Sequence, residues 1–271
     1  MQIPFPASDL WRHRELLWQF TLRNIEVRHK GSHLGLIWSF LNPLLLLGLY
    51  AFVFGHIFGG SFGVLANETP IDFALGLFIG LSVFQLIAEV IGVSPLIIVT
   101  QPNFVKKVVF PLEILPVAGV GASIFHFLVS IILVTLGIAL AGPGLSWLAL
   151  WLPVIMLPLV LFVVGLAWLI AALGVFFRDI GQAAQFLTQV LMFASAVFYP
   201  AALISGKAPT AWLFLRFNPV LLAVEEARNV LLWNVQLNFH HLAFLYLCGA
   251  AACWGGYAVF NRLKPVFADV L

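Results

Sequence analysis

The sequence predicts an all-α integral membrane protein: six transmembrane helices behind an N-terminal amphipathic interface helix, with short re-entrant helices in the last outside loop. Three observations carry that class. Of 271 residues, 62% are hydrophobic and 9% charged, against about 25% charged in an ordinary soluble domain. The hydrophobic residues fall in runs of 20 or more, and about 20 suffice to cross a ~30 Å hydrocarbon core. Gly and Pro recur inside these runs and no ten-residue alternation repeats, which favours a helical bundle over an outer-membrane barrel.

Taken in order, residues 1–33 form the first unit. Trp11, Trp18, Leu22 and Ile25 recur at helical spacing, with Arg12, Glu15, Gln19, Arg23, Glu26 and Lys30 opposite, the pattern of a helix lying along a membrane surface. Ser8 or Asp9 could cap its start. The stretch has no short apolar core, so the first span reads as an uncleaved anchor. The transmembrane unit covers 34–262, with spans at 34–58, 71–99, 112–140, 147–177, 183–200 and 242–260, and a tail occupies 263–271. The loop 201–241 is too long to lack structure. Within it Asn218-Pro219 is a helix start, with Asn as cap and Pro in the first turn, and Glu225, Glu226 and Arg228 make the following segment too polar to span.

Charge sets the orientation. With both termini inside, Arg12, Arg14, Arg23, Arg28, Lys30, Lys106, Lys107, Arg178, Arg262 and Lys264 are internal, ten of thirteen Lys/Arg, as the positive-inside rule requires. The basic residues are scattered without a stripe, which excludes a nucleic-acid partner. Cys248 and Cys253 are five apart on one helix, a rise of about 7.5 Å, too far for a disulfide.

No enzyme constellation is present. Gly206-Lys207 lacks the upstream Gly and following Ser/Thr of a phosphate loop, so no ATP site is read here. The seven histidines never take metal-ligand spacing, and no metal site is expected. Two polar stripes stand out inside the spans. Ser82, Gln85 and Glu89 share a face of the second, where a mid-span carboxyl is a functional candidate or a hydrogen-bonded structural group. Gln182, Gln185 and Gln189 share a face of the fifth, near Phe186 and Phe193. Amides bind sugar hydroxyls and aromatic faces stack on pyranose rings, so these residues suit a carbohydrate path; the alternative is interhelical hydrogen bonding. Gly55-xxx-Gly59 and Gly76-xxx-Gly80 are candidate close helix contacts.

The run from Val27 through Arg28, His29, Lys30, Gly31 and Ser32 to Trp38, closing on Leu41-Asn42-Pro43, resembles the start of the first membrane helix in permease subunits of type-2 ABC exporters for O antigen, capsule and teichoic acid. The segment from Asn103 to Pro116 is similar to that family's cytoplasmic coupling segment, and Phe177-Arg178-Asp179-Ile180, Ser195 to Pro200 and Asn218-Pro219 follow in its order. Ala196 departs from a frequent Pro, which puts in question the helix break before Tyr199.

The resemblance implies a homodimer in the bacterial inner membrane, working with two separate ATPase subunits that carry the ATP and Mg, this chain holding no cofactor. It also implies export of a lipid-linked polysaccharide along the dimer axis. Asn103, Phe104, Lys106, Lys107, Phe110, Pro111 and Glu113, within 101–113, would couple to the ATPase. Arg23, Arg28 and Lys30 would receive the lipid diphosphate, or serve topology alone. Gln182, Gln185, Phe186, Gln189, Phe193, Tyr199, Gln85 and Glu89 would line the path, with 201–241 as the outside gate. Other readings are a drug or lipid exporter of the same superfamily and an integral-membrane lipid-modifying enzyme. The enzyme should show acids or histidines clustered at one membrane face, and no such cluster is seen.

Overall fold

The computed structural model describes residues 10–65, 67–106 and 110–271, and among these it contains helices and turns but no strand. Ser8, Asp9 and Lys107 lie outside the described residues. Among the described residues, five segments are long and apolar enough to cross a membrane: Gly35–Ile57, Pro70–Leu96, Ile114–Ala141, Trp147–Phe176 and Phe239–Val270. In place of the fifth expected span, 183–200, stands a 15-residue helix, Ile180–Ala194, about 22 Å long against a ~30 Å core. It ends because Ser195 leaves the helix and Ala196 turns left-handed at φ 51°, a conformation uncommon outside glycine. The break before Tyr199 is thus present with Ala at position 196.

Helix α1 (Arg14–His29) packs on α5 (Ile114–Ala141). Its inner side takes only Ile25 from the stripe read from sequence. Thr21 and Ile25 are buried, whereas Trp11, Trp18 and Leu22 are exposed. Leu17, Thr21 and Ile25 stack at i, i+4 and i+8, and Thr21 enters a notch at Gly121, where a Cβ would lie 2.7 Å from its hydroxyl. The tryptophans are left for the surroundings.

The first span is a 3-10 turn, then α2 (Trp38–Tyr50), then a π-helical stretch, Ala51–Ile57. The helix α3 (Pro70–Val93) starts at a capping box, Thr69 accepting from the Asp72 amide and Asp72 from the Thr69 amide, and is the most enclosed span. After the short α4 (Pro102–Lys106) and α5 comes α6 (Leu152–Phe176), followed by α7, the shortened helix Ile180–Ala194. Beyond the break lie α8 (Ala201–Lys207), α9 (Pro209–Leu215) and α10 (Pro219–Arg228), the last capped by Asn218 as expected, its side chain accepting from the Val220 amide at 3.0 Å. The chain closes with α11 (Phe239–Leu263) and α12 (Phe267–Val270).

The tightest pairing is α6 with α11, and glycines make it so. A Cβ on Gly165 would lie 2.1 Å from the Ala252 carbonyl oxygen, on Gly256 2.0 Å from that of Gly165, and on Gly249 2.3 Å from that of Pro158. Backbone therefore meets backbone, the close approach small residues permit between membrane helices. The two motifs singled out in the sequence serve otherwise: Gly76 faces the Phe62 ring, Gly80 faces the Arg228 guanidinium, Gly55 meets the Phe73 ring and Gly59 opens onto free space.

Candidate functional site

The titratable groups converge where α1, α3 and α5 meet. Arg28 falls three residues after buried Ile25 and seven after Thr21, hence on the face of α1 turned to the bundle. Glu89 lies four residues after Gln85 and seven after Ser82 on α3, and His126 follows Ser123 by three on α5. Arg28 Nη1 forms an ion pair with Glu89 Oε1. His126 Nδ1 stands 3.0 Å from that oxygen and 3.2 Å from Arg28 Nη1. The Glu89 side chain is 8% exposed and that of Arg28 45%, so a buried carboxylate meets a cation with one flank open. Burial lowers the Arg28 guanidinium from its ordinary value, and it remains a cation.

Two cavities flank the pair. One, about 90 Å³, is lined by polar groups including Trp38, Asn42, Ser82, Gln85 and Ser130. The other, about 780 Å³, opens between α1, α3 and α5 and is lined by Arg23, Asn24, Arg28, Glu89 and Gln101 among others. The structure thus joins residues that the sequence assigned to separate tasks: Arg28 as head-group cation and Gln85 and Glu89 as path. Arg23 shares the larger groove, whereas Lys30 is exposed and does not line it. Glu89 lies in the last third of the span Pro70–Leu96, seven residues before its end.

On α7, Gln182, Gln185, Phe186, Gln189 and Phe193 are all exposed, while Ala184 is buried. These residues form one open face that shares neither cavity with Gln85 and Glu89. Tyr199, half-buried beyond the break, donates its hydroxyl to the Phe193 carbonyl.

In the segment 101–113, Asn103 and Lys106 are exposed. Phe104 meets Phe20 of α1 edge-on and Phe110 meets it tilted, their centroids 5.6 Å and 5.3 Å from it and 4.6 Å from each other. Pro111 is half-buried, and Glu113 is buried with its carboxylate 2.6 Å from Lys264 Nζ. Trp168 donates to the Glu113 carbonyl at 2.9 Å.

Sequence reasoning missed His126, Arg228 and the pairing of Glu226 with His241. The rule that singled out Glu89, an ionisable group within a span, also fits His126. Arg228 was read as a loop charge. It is fully buried, donating to the carbonyls of Gly76 at 2.9 Å, Ala196 at 2.8 Å and Val197, with Phe62 beneath it at 4.4 Å. Beside it, burial raises the Glu225 carboxyl against the pull of Arg228, and Glu226, 1% exposed, holds His241 Nδ1 at 2.7 Å. Among the described residues no three His, Cys, Asp or Glu come together as a metal site.

Among the described residues, five helices long and apolar enough to span, with the shortened α7 and an ion pair beside a groove, are the build of a multi-pass membrane protein. Residues 15–232 match the family described as ABC-2 type transporter, and the chain belongs to that family. It is a permease subunit of a type-2 ABC exporter, the membrane component of a transporter that an ATPase partner drives. Curated relatives include an O-antigen export system permease protein, RfbA, from Klebsiella pneumoniae, 29% identical over 95% of both chains. A protein of the same name from Myxococcus xanthus is 26% identical over 97% of this chain and 98% of its own.

Proposed function

We propose that this permease exports a lipid-linked polysaccharide of the O-antigen class across the bacterial inner membrane, as a homodimer with two ATPase subunits that bind the ATP and Mg. Both termini lie in the cytoplasm, the side the basic segments favour. The observation that carries the substrate class is the open face of α7. Gln182, Gln185 and Gln189 are exposed on α7, which stands between two spans in the chain, and an amide there that met hydrocarbon without a partner would cost free energy. They require water, a second copy or a polar cargo opposite them. Phe186 and Phe193 on the same face offer ring stacking, and the names of the relatives point to the same cargo.

The remaining assignments follow. The segment 101–113 couples to the ATPase through exposed Asn103 and Lys106, with Phe104, Phe110, Pro111 and Glu113 seating it on α1 and the C-terminal region. Arg23 and Arg28 receive the lipid diphosphate in the groove between α1, α3 and α5, since guanidinium groups bind phosphate oxygens in pairs. Lys30 adds positive potential at the surface. The loop 201–241 gates the far side.

Single cysteines at 182, 185 and 189, in a background lacking Cys248 and Cys253, test the path. With the ATPase partner present they should react with a membrane-impermeant thiol reagent, and added polysaccharide lipid should protect them. Protection in every nucleotide state would refute the assignment.

A further inference from the structure

We propose that Glu89 is a built-in anion that occupies Arg28 until the phosphate of a lipid head group takes its place. The inference rests on the head-group reading above and adds the step by which the site is vacated.

To a guanidinium, a carboxylate and a phosphate present the same chemistry: two oxygens spaced for paired N–H donors. Glu89 already occupies Arg28 Nη1 through one carboxylate oxygen. The pair is asymmetric in a way that allows exchange. Arg28 has its open flank on the groove of about 780 Å³ that Arg23 also lines, so a phosphate can approach without first moving a helix. Glu89 sits on a side chain that rotates, unlike a backbone acceptor. His126 Nδ1 lies 3.0 Å and 3.3 Å from the two Glu89 oxygens, so with a proton on Nδ1 it donates to the carboxylate and keeps it satisfied after Arg28 turns away. A buried carboxylate that lost its sole partner would resist release.

The exchange has a mechanical side. Arg28 belongs to α1, and Glu89 and His126 to α3 and α5. While the ion pair holds, the end of α1 is tied to the transmembrane bundle; once phosphate substitutes for Glu89 the tie passes to the cargo. Affinity is then reduced by the fraction of time Arg28 is free, because ligand binds only the vacant form.

The test uses the permease with its ATPase partner in lipid vesicles, with a polyprenyl diphosphate lipid as probe and stimulation of ATP hydrolysis as readout. Glu89→Gln removes the competing charge and should lower the half-maximal lipid concentration about tenfold, the gain expected if Arg28 is vacant roughly a tenth of the time. Glu89→Asp keeps the charge on a shorter arm and should give a smaller shift, which keeps the test decidable if the Gln variant does not assemble. Inorganic diphosphate should compete at lower concentration in Glu89→Gln than in wild type, which separates recognition of the phosphates from recognition of the lipid chain. Unchanged half-maximal concentrations in both Glu89 variants would overturn the proposal, as would an equal shift for a neutral diacylglycerol probe. Arg28→Gln distinguishes the two readings. If it weakens the response while the Glu89 variants do nothing, the head-group site stands and the placeholder falls. If it has no effect in either background, the head-group reading itself fails.

Discussion

Two arginines grip the same helix, one near each end, and they are held in opposite ways. At one end of α3, Arg228 is fully buried and donates to the carbonyls of Gly76, Ala196 and Val197, passing over Gly80, where a Cβ would meet its Nη2 at 2.4 Å. At the other, Arg28 is half-exposed and takes the carboxylate of Glu89. The acceptors make the difference. The Gly76, Ala196 and Val197 carbonyls are fixed by the chain, whereas the Glu89 carboxylate sits on a rotatable side chain and, on the proposal above, yields to a phosphate. The same side chain is a fastener in one place and the proposed receptor in the other.

The largest effect should come from breaking the fastener. Arg228→Ala leaves the Ala196 and Val197 carbonyls without their donor, each worth about 1–3 kcal/mol, and the purified protein should lose its monodisperse peak on mild heating. Arg228→Lys should not rescue it, because an ammonium lacks the planar fork. Gly80→Ala comes next: crowding the guanidinium should cost about 1–3 kcal/mol, seen as a lower midpoint in the same thermal assay. Arg28→Ala should cost less stability than Arg228→Ala, because Arg28 is half-exposed and His126 stays beside the Glu89 carboxylate, while export falls sharply in a vesicle transport assay. A thermal loss at Arg28 as large as that at Arg228 would erase the distinction. The smallest stability change is expected for Lys106→Glu, which should leave thermal behaviour unaltered yet weaken copurification of the ATPase.

The long spans were legible because hydropathy sums over some twenty residues and tolerates local errors. The fifth failed at its end: residues 195–200 include Ala196, Val197 and Phe198, apolar enough to extend a hydropathy run, and the turn at Ala196 depends on Arg228 and Asn218 reaching its carbonyls from distant segments. Such tertiary contacts carry no local signal. The helix start at Asn218-Pro219 was readable because a cap is a contact between near neighbours. In the candidate site, Arg28, Glu89 and Gln85 each stand out by residue type, but their meeting does not, since α1 meets α5 through Thr21 and Ile25 while Trp11, Trp18 and Leu22 of the same apolar stripe stay exposed. His126 lay hidden among apolar neighbours, where a single imidazole barely alters a hydropathy sum.

The glycine crossings of α6 and α11 also bear on stiffness. With no side chains between the two backbones at Gly165, Gly249 and Gly256, there is nothing compliant to compress, and the helices respond to load as one beam. Glu113 is tied to that beam twice, by the Trp168 indole and by Lys264. A displacement applied at residues 110–113 is therefore carried along the whole length of the pair with little lost in side-chain rearrangement.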